Sequence, residues 1–204
     1  MVRAATPGDI ETVTQCVRLA FTNDPVWEPA LRRSDGRTDH HEQYWRLFVE
    51  GSVAQGGAFM TDGGEAVSIW VPPGGSELSP AALDNLEEML AHVLDQAGVT
   101  AMHALYDRFE ASRAPLAPHY YLSLLATHPD HRGQGIGQAL LADDLARWDA
   151  AGIPSYLEST NPANDHRYAR AGFRPIGGFE AVLDGHRITA MWRDVGGTQG
   201  PTRG

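Results

Sequence analysis

The segment from His119 to Ala151 constrains the fold more than any other. His119–Thr127 (HYYLSLLAT) is almost wholly apolar, which predicts a strand buried on both faces. The run Thr127-His-Pro-Asp-His-Arg-Gly-Gln-Gly-Ile-Gly follows, and Gln134–Ala151 then reads as an amphipathic helix carrying Ile136, Leu140, Leu141, Leu145 and Trp148, closed by Gly152. Glycines at 133, 135 and 137 permit positive φ and bring bare backbone close to a ligand. In such a turn the loop amides and the helix N-terminus point outward together and form an anion site, to which Arg132 adds a charge suited to phosphate oxygens.

Two common phosphate-binding turns fit less well. A dinucleotide fingerprint needs a third glycine where Gln138 stands, although Glu158 does lie near the end of the next strand. A P-loop needs Gly-Lys-Ser/Thr, and no lysine follows these glycines.

The remaining pattern predicts one domain over residues 1–195, with a disordered tail over 196–204. Val2–Ala5 reads as a strand, and Thr6-Pro7-Gly8-Asp9 opens a helix that Asn23-Asp24-Pro25 stops. A second helix falls within 38–55. Ala58–Thr61 and Ala66–Val71 form a hairpin around Asp62-Gly63-Gly64. Ser79-Pro80 starts a helix that Gly98 stops, and another runs to about Ser112. After the central segment come a strand at Pro154–Ser159, a short helix that Asn161-Pro162 starts and Gly172 ends, and strands Phe173–Leu183 and His186–Arg193 around the turn Asp184-Gly185.

Composition excludes several classes. With 26 acidic and 16 basic residues the net charge is −10, which argues against nucleic acid or an anionic membrane as partner and suits a cationic small molecule. No apolar run reaches the length of a membrane span, and the N-terminus lacks a signal pattern. A single cysteine, Cys16, rules out an internal disulfide framework and makes a cytoplasmic location the expectation. Nine histidines carry no metal-ligand spacing; His40 and His41, being adjacent, are expected to diverge on their helix, and no metal site is expected.

The run Arg132-x-x-Gly135-x-Gly137 resembles the acyl-CoA pyrophosphate motif of the GNAT family of N-acetyltransferases. Asn161, followed seven residues on by Tyr168 and then Ala169-Arg170-Ala171-Gly172-Phe173, is similar to that family's second signature, in the same order and spacing. The early Phe21-Thr22-Asn23-Asp24-Pro25, the helical insert at 79–112 and Leu157-Glu158-Ser159-Thr160-Asn161-Pro162 are in turn similar to puromycin N-acetyltransferase and related actinobacterial enzymes.

The resemblance implies an α/β (α+β) GNAT fold: a central mixed, mostly antiparallel sheet of six to seven strands with a splayed parallel pair and helices on both faces. It implies acetyl-CoA as co-substrate. Leu125, Ala126 and Thr127 would meet the pantetheine arm through their backbone, and Arg132, Gly133, Gln134, Gly135, Ile136, Gly137 and Gln138 would hold the diphosphate. Asn161 and Asn164 would add coenzyme contacts; Asn161 is in any case a helix cap. Tyr168 matches the family tyrosine that acts as general acid on the departing thiolate. Many members carry a glutamate on the strand before the loop, and this chain has none there; Glu158 is the best remaining base or ammonium anchor, with His119, Tyr120 and Tyr121 behind it, and a water chain leading to bulk solvent would also suffice. Trp27 and Tyr120, with Glu158, are the candidate acceptor contacts. The implied function is direct acetyl transfer to a primary amine of a small molecule, an antibiotic-like amine among the options, by a monomer or homodimer. The rival is a non-catalytic acyl-CoA-binding sensor or interaction module on the same scaffold.

Overall fold

The computed structural model describes residues 1–197, and residues 198–204 of the expected tail lie outside them. The strands are β1 (Val2–Ala4), β2 (Ala58–Thr61), β3 (Ala66–Val71), β4 (Tyr120–Thr127), β5 (Ser155–Ser159), β6 (Arg174–Glu180) and β7 (Arg187–Arg193). The helices are α1 (Ile10–Phe21), α2 (Trp27–Ala30), α3 (His40–Ala54), α4 (Pro80–Val93), α5 (Gln96–Arg113), α6 (Ile136–Ala150) and α7 (Asp165–Arg170). The strands form one sheet in the order β1-β2-β3-β4-β5-β7-β6, antiparallel throughout except for the parallel pair β4–β5.

Local chemistry explains most boundaries. Thr6 and Asp9 make a reciprocal capping box ahead of α1, and Asp9 also accepts from Arg3 at 2.7 and 2.8 Å. Ser79 Oγ accepts from the Ala82 N–H at the start of α4. Gly98 does not stop that helix. The break falls at Leu94, which is extended, and Asp95 then caps α5 by accepting from the Gly98 N–H at 2.8 Å, so Gly98 sits inside the next helix. The last hairpin also differs from expectation. Pairing ends at Glu180–Arg187 and the Ala181 N–H reaches the His186 carbonyl, so the connection is longer than a two-residue turn at Asp184-Gly185.

The sheet carries helices on both faces. On one face α1, α3, α4 and α5 pack over Val67, Ile69, Leu124, Ala126 and Ile188; on the other α6 packs over Trp70, Leu122, Leu157 and Met191. Asp144, fully buried on α6, accepts from Ser68 Oγ at 2.6 Å and Trp70 Nε1 at 2.9 Å, which ties that helix to β3.

Two irregularities position the site. First, pairing of β3 with β4 steps from Ile69–Leu124 to Trp70–Leu122, so Ser123 is an extra, bulged residue. Because side chains alternate along a strand, one inserted residue exchanges the two faces: Tyr120 and Leu122 face α6, whereas Leu124 and Ala126 face the α1–α3 layer. Second, β4 and β5 pair only at Tyr120–Ser155, Tyr121–Tyr156 and Leu122–Leu157. Beyond these pairs the strands part, and Leu124–Thr127 keep β3 on one side with no partner strand on the other among the described residues.

The end of the described chain is ordered by one carboxylate. Asp149 accepts two hydrogen bonds from Arg193, both 2.7 Å, and one from the Gly196 N–H at 2.8 Å, and Val195–Gly197 form a short helical turn.

Candidate active site

The parted strands open into a cleft of about 1510 Å³. One wall is the glycine turn. Gly133 and Gly135 have φ of +78° and +76° with open space where a Cβ would stand, so they are needed for backbone conformation alone. Gly137 is needed for space: a Cβ there would lie 2.4 Å from Thr127 Oγ1, so its absence lets α6 sit directly against β4. The first hydrogen bond of α6 runs from the Ala139 N–H to the Gly135 carbonyl. The N–H groups of Ile136, Gly137 and Gln138 therefore have no intrahelical acceptor and form the positive end of a long helix.

The expected coenzyme residues distribute unevenly around this wall. Leu125, Thr127, Arg132, Gly133, Gly135, Ile136, Gly137, Gln138, Asn161 and Asn164 line the cleft. Gln134 is exposed and stands off it. Ala126 turns its methyl into the core and has only its main chain on the open strand. Arg132 Nη2 donates to the Ala20 carbonyl at 2.9 Å, which anchors the turn to α1. Asn161 Oδ1 accepts from the Ala163 N–H at 3.1 Å, the capping role its sequence suggested, and Asn164 Oδ1 accepts from Arg167 at 3.2 Å.

Opposite the glycine turn is a cluster of titratable side chains. Tyr121, Tyr156 and Glu158 share one sheet face, since Tyr121 pairs with Tyr156 and Glu158 follows two residues on. Tyr156 Oη donates to Glu158 Oε1 at 2.8 Å and accepts from Ser112 Oγ at 2.8 Å. Glu158 Oε2 is buried and accepts no hydrogen bond among the described residues. Burial pushes the Glu158 carboxyl up to about 7, with the nearby Glu77 charge adding to it, against the opposing pull of the Arg113 charge and of the Tyr156 and Tyr121 hydroxyls. The Arg113 guanidinium lies 4.3 Å from the Tyr121 ring centroid and pairs with Glu77 at 3.3 Å and Glu110 at 3.2 Å. Glu77 also accepts from the bulged Ser123 hydroxyl.

Tyr168, on α7, lines the same cleft and packs near Phe173. Burial, with the charges of Asp24 and Asp165, pushes its phenol up to about 12, so it remains a proton donor at neutral pH. Asp24 accepts from Thr160 Oγ1 at 2.7 Å and from the Val26 and Trp27 N–H groups, which fastens the loop after α1 to the end of β5 beside Tyr168.

Among the acceptor candidates, Trp27 lines the cleft, its ring stacked on Phe109 with centroids 5.7 Å apart. Tyr120 does not: it stacks on Trp148 at 3.7 Å, on the α6 face to which the bulge assigns it. Tyr121, one position on, faces the site instead. His119 lines the cleft, but its Nδ1 donates to the Ala117 carbonyl at 2.7 Å. His40 and His41 do not diverge; their rings meet edge to face at 4.6 Å because both are buried where α3 begins. Sequence reasoning missed Glu77, Arg113 and Tyr156. Each is an ordinary residue in its local context, and only long-range packing brings the three to Glu158.

Residues 87–175 match the family model of the acetyltransferase (GNAT) domain. The Corynebacterium glutamicum protein described as "histone acetyltransferase HPA2 and related acetyltransferase" is 26% identical, with a TM-score of 0.66 over 99% of this chain and 98% of its own. Mosquito arylalkylamine N-acetyltransferase-like 5b shares the fold at a TM-score of 0.60 and 19% identity, over 95% of this chain and 99% of its own. The polyamine N-acetyltransferase of Drosophila melanogaster, which catalyses formation of N-acetylagmatine, does so at 0.64 and 14%, over 95% and 99%. The match to the GNAT acetyltransferase domain thus falls on residues 87–175, within a mixed α/β fold that these structures share.

Proposed function

We propose that this GNAT-domain chain is an acetyl-CoA-dependent N-acetyltransferase that transfers the acetyl group directly to a primary amine of a small molecule in a ternary complex. The observation that carries the reading is the shared cleft of Glu158, with one buried carboxylate oxygen unpartnered, and Tyr168, an unionised phenol. A candidate base and a candidate acid thus line one cleft.

The residues fit the co-substrate on two observations: the bare helix start at Ile136–Gln138, and the open edge of β4 from Ser123 to Thr127. The former suits a diphosphate. The latter suits an extended amide-bearing arm, taken up as a strand would be. Acetyl-CoA supplies the acyl group as a thioester.

Glu158 Oε2 accepts a proton from the acceptor ammonium, so the neutral amine attacks the acyl carbon. A carboxyl near 7 is matched to this task at neutral pH. Main-chain N–H groups at the open edge of β4 stabilise the oxyanion. The N–C bond forms as the C–S bond breaks, and Tyr168 gives its proton to the departing sulfur. Each proton transfer contributes roughly 10²–10⁴-fold. The arylalkylamine N-acetyltransferase-like and polyamine N-acetyltransferase proteins that share the fold support a small amine as acceptor. An antibiotic-like amine, suggested by the similarity to puromycin N-acetyltransferase, belongs in the same acceptor panel.

The test is release of free thiol from acetyl-CoA with a panel of primary amines. Amine-dependent release is expected, with kcat lowered in both Glu158→Gln and Tyr168→Phe while calorimetric CoA affinity is retained. CoA binding without release by any amine would favour the sensor reading. Unchanged rates in both variants would remove these side chains from the reaction.

A further inference from the structure

Away from Glu158 the cleft becomes aromatic and apolar, lined by Trp27, Phe48, Leu86 and Phe109. Two hydroxyls interrupt this lining. Tyr44, fully buried on α3, and Tyr106 on α5 both line the cleft, and their oxygens lie 2.9 Å apart. Burial, with the nearby Glu77 charge adding to it, pushes both phenols above their ordinary range, so both keep their protons.

Two hydroxyls hold two hydrogens, and one bond between them uses only one. Neither makes another hydrogen bond among the described residues. One O–H donor is therefore left unspent at an apolar surface, where an unmet donor is costly. The Glu77 charge, paired with Arg113, acts on this hydroxyl pair and on Glu158 alike, and Trp27 and Phe48 flank the Tyr44 ring, so the cleft offers a carboxylate, aromatic walls and a single hydroxyl donor.

We propose that the Tyr44–Tyr106 hydroxyl pair is a specificity determinant for the acceptor, selecting amines whose flat apolar body ends in a hydrogen-bond-accepting oxygen. This deepens the acetyl-transfer reading and rests on it for where the amine lies. The pair donates one hydrogen bond to the distal oxygen, while the aromatic walls cover the body of the acceptor. An apolar group of the same size in that position leaves the donor unmet. The site thus rejects an isostere by the missing bond and not by shape.

The probes are 4-methoxyphenethylamine and 4-ethylphenethylamine, which differ by an oxygen for a methylene. Calorimetry on the CoA-loaded protein measures binding, and thiol release from acetyl-CoA measures kcat/KM. The methoxy compound is expected to be favoured by about threefold to tenfold in Kd, the range of one neutral hydrogen bond. The double variant Tyr44→Phe/Tyr106→Phe is expected to lose that preference and to bind the ethyl compound as before. Equal affinity of the two amines for the unaltered protein, or a preference that survives in the double variant, overturns the proposal. Should the double variant fail to fold, the comparison in the unaltered protein still decides. Selective binding without acetyl transfer would overturn the catalytic reading and leave the selectivity standing, whereas acetylation without selectivity would do the reverse.

Discussion

Tyr156 donates to one oxygen of Glu158 at 2.8 Å and leaves the other oxygen buried and unpartnered. The carboxylate is thus held in orientation by a neighbour two residues away on its own strand. A base must be ionised to act, and burial raises the pH at which this one ionises to about 7. In the proposed reaction, kcat/KM therefore rises with pH through about 7, and Glu158→Gln removes that rise.

Tyr156→Phe takes away a hydrogen bond that favours the ionised form of Glu158. The acid limb of the pH profile is expected to move to higher pH, with activity lost near neutrality and recovered in alkaline buffer. A uniform loss at all pH values would instead mean that Tyr156 acts only through packing.

Arg113→Gln acts in the same direction by removing the positive charge nearest Glu158. It also frees Glu77, which pairs with Arg113 at 3.3 Å. The expected outcome is an acid limb displaced upward and weaker binding of neutral acceptor analogues packed beside Tyr121. An acid limb that stays in place, measured over the same buffers, would dismiss Arg113 as a source of the charge.

Gly137→Ala places a methyl 2.4 Å from Thr127 Oγ1 and pushes α6 off β4. Coenzyme affinity by calorimetry is expected to fall by tenfold or more, about 1.4 kcal/mol. Thr127→Ala in the same chain removes the clashing oxygen and should restore much of the affinity. Gly135→Ala has no such suppressor, because its cost of roughly 1–2 kcal/mol is backbone strain at φ +76°.

Asp149→Asn breaks the paired bonds to Arg193 that fasten β7 and the following turn to α6. A loss of about 1–3 kcal/mol is expected for bonds to a charged group, read as a fall in Tm of several degrees. The Arg193 hydrogen bonds hold the Asp149 carboxyl below the ordinary carboxylate range. Its stabilisation is therefore present at neutral pH and is lost as pH falls below about 4. Thermal melts of the two proteins should converge in acid.

What the sequence determined by itself is what depends on near neighbours along the chain. The turn from β4 into α6 rests on glycine conformation and apolar period, and the two signature segments on fixed spacing; Tyr168 and Glu158 as acid and base belong to the proposed reaction, which the resemblance implies. Those features act over a few residues and survive without knowledge of the rest. Boundaries that hinge on one cap were less legible: Asp95 outcompeted Gly98 because its carboxylate meets an N–H three residues on. Only the tertiary structure decided which side chains surround the carboxylate. Tyr120 and Tyr121 exchanged roles because a single bulged residue, Ser123, reverses which face each side chain takes. Glu77 and Arg113, unremarkable as letters, gain their meaning from burial: charges that water would screen on the surface interact strongly once the loop before α4 and the end of α5 close over β4 and β5.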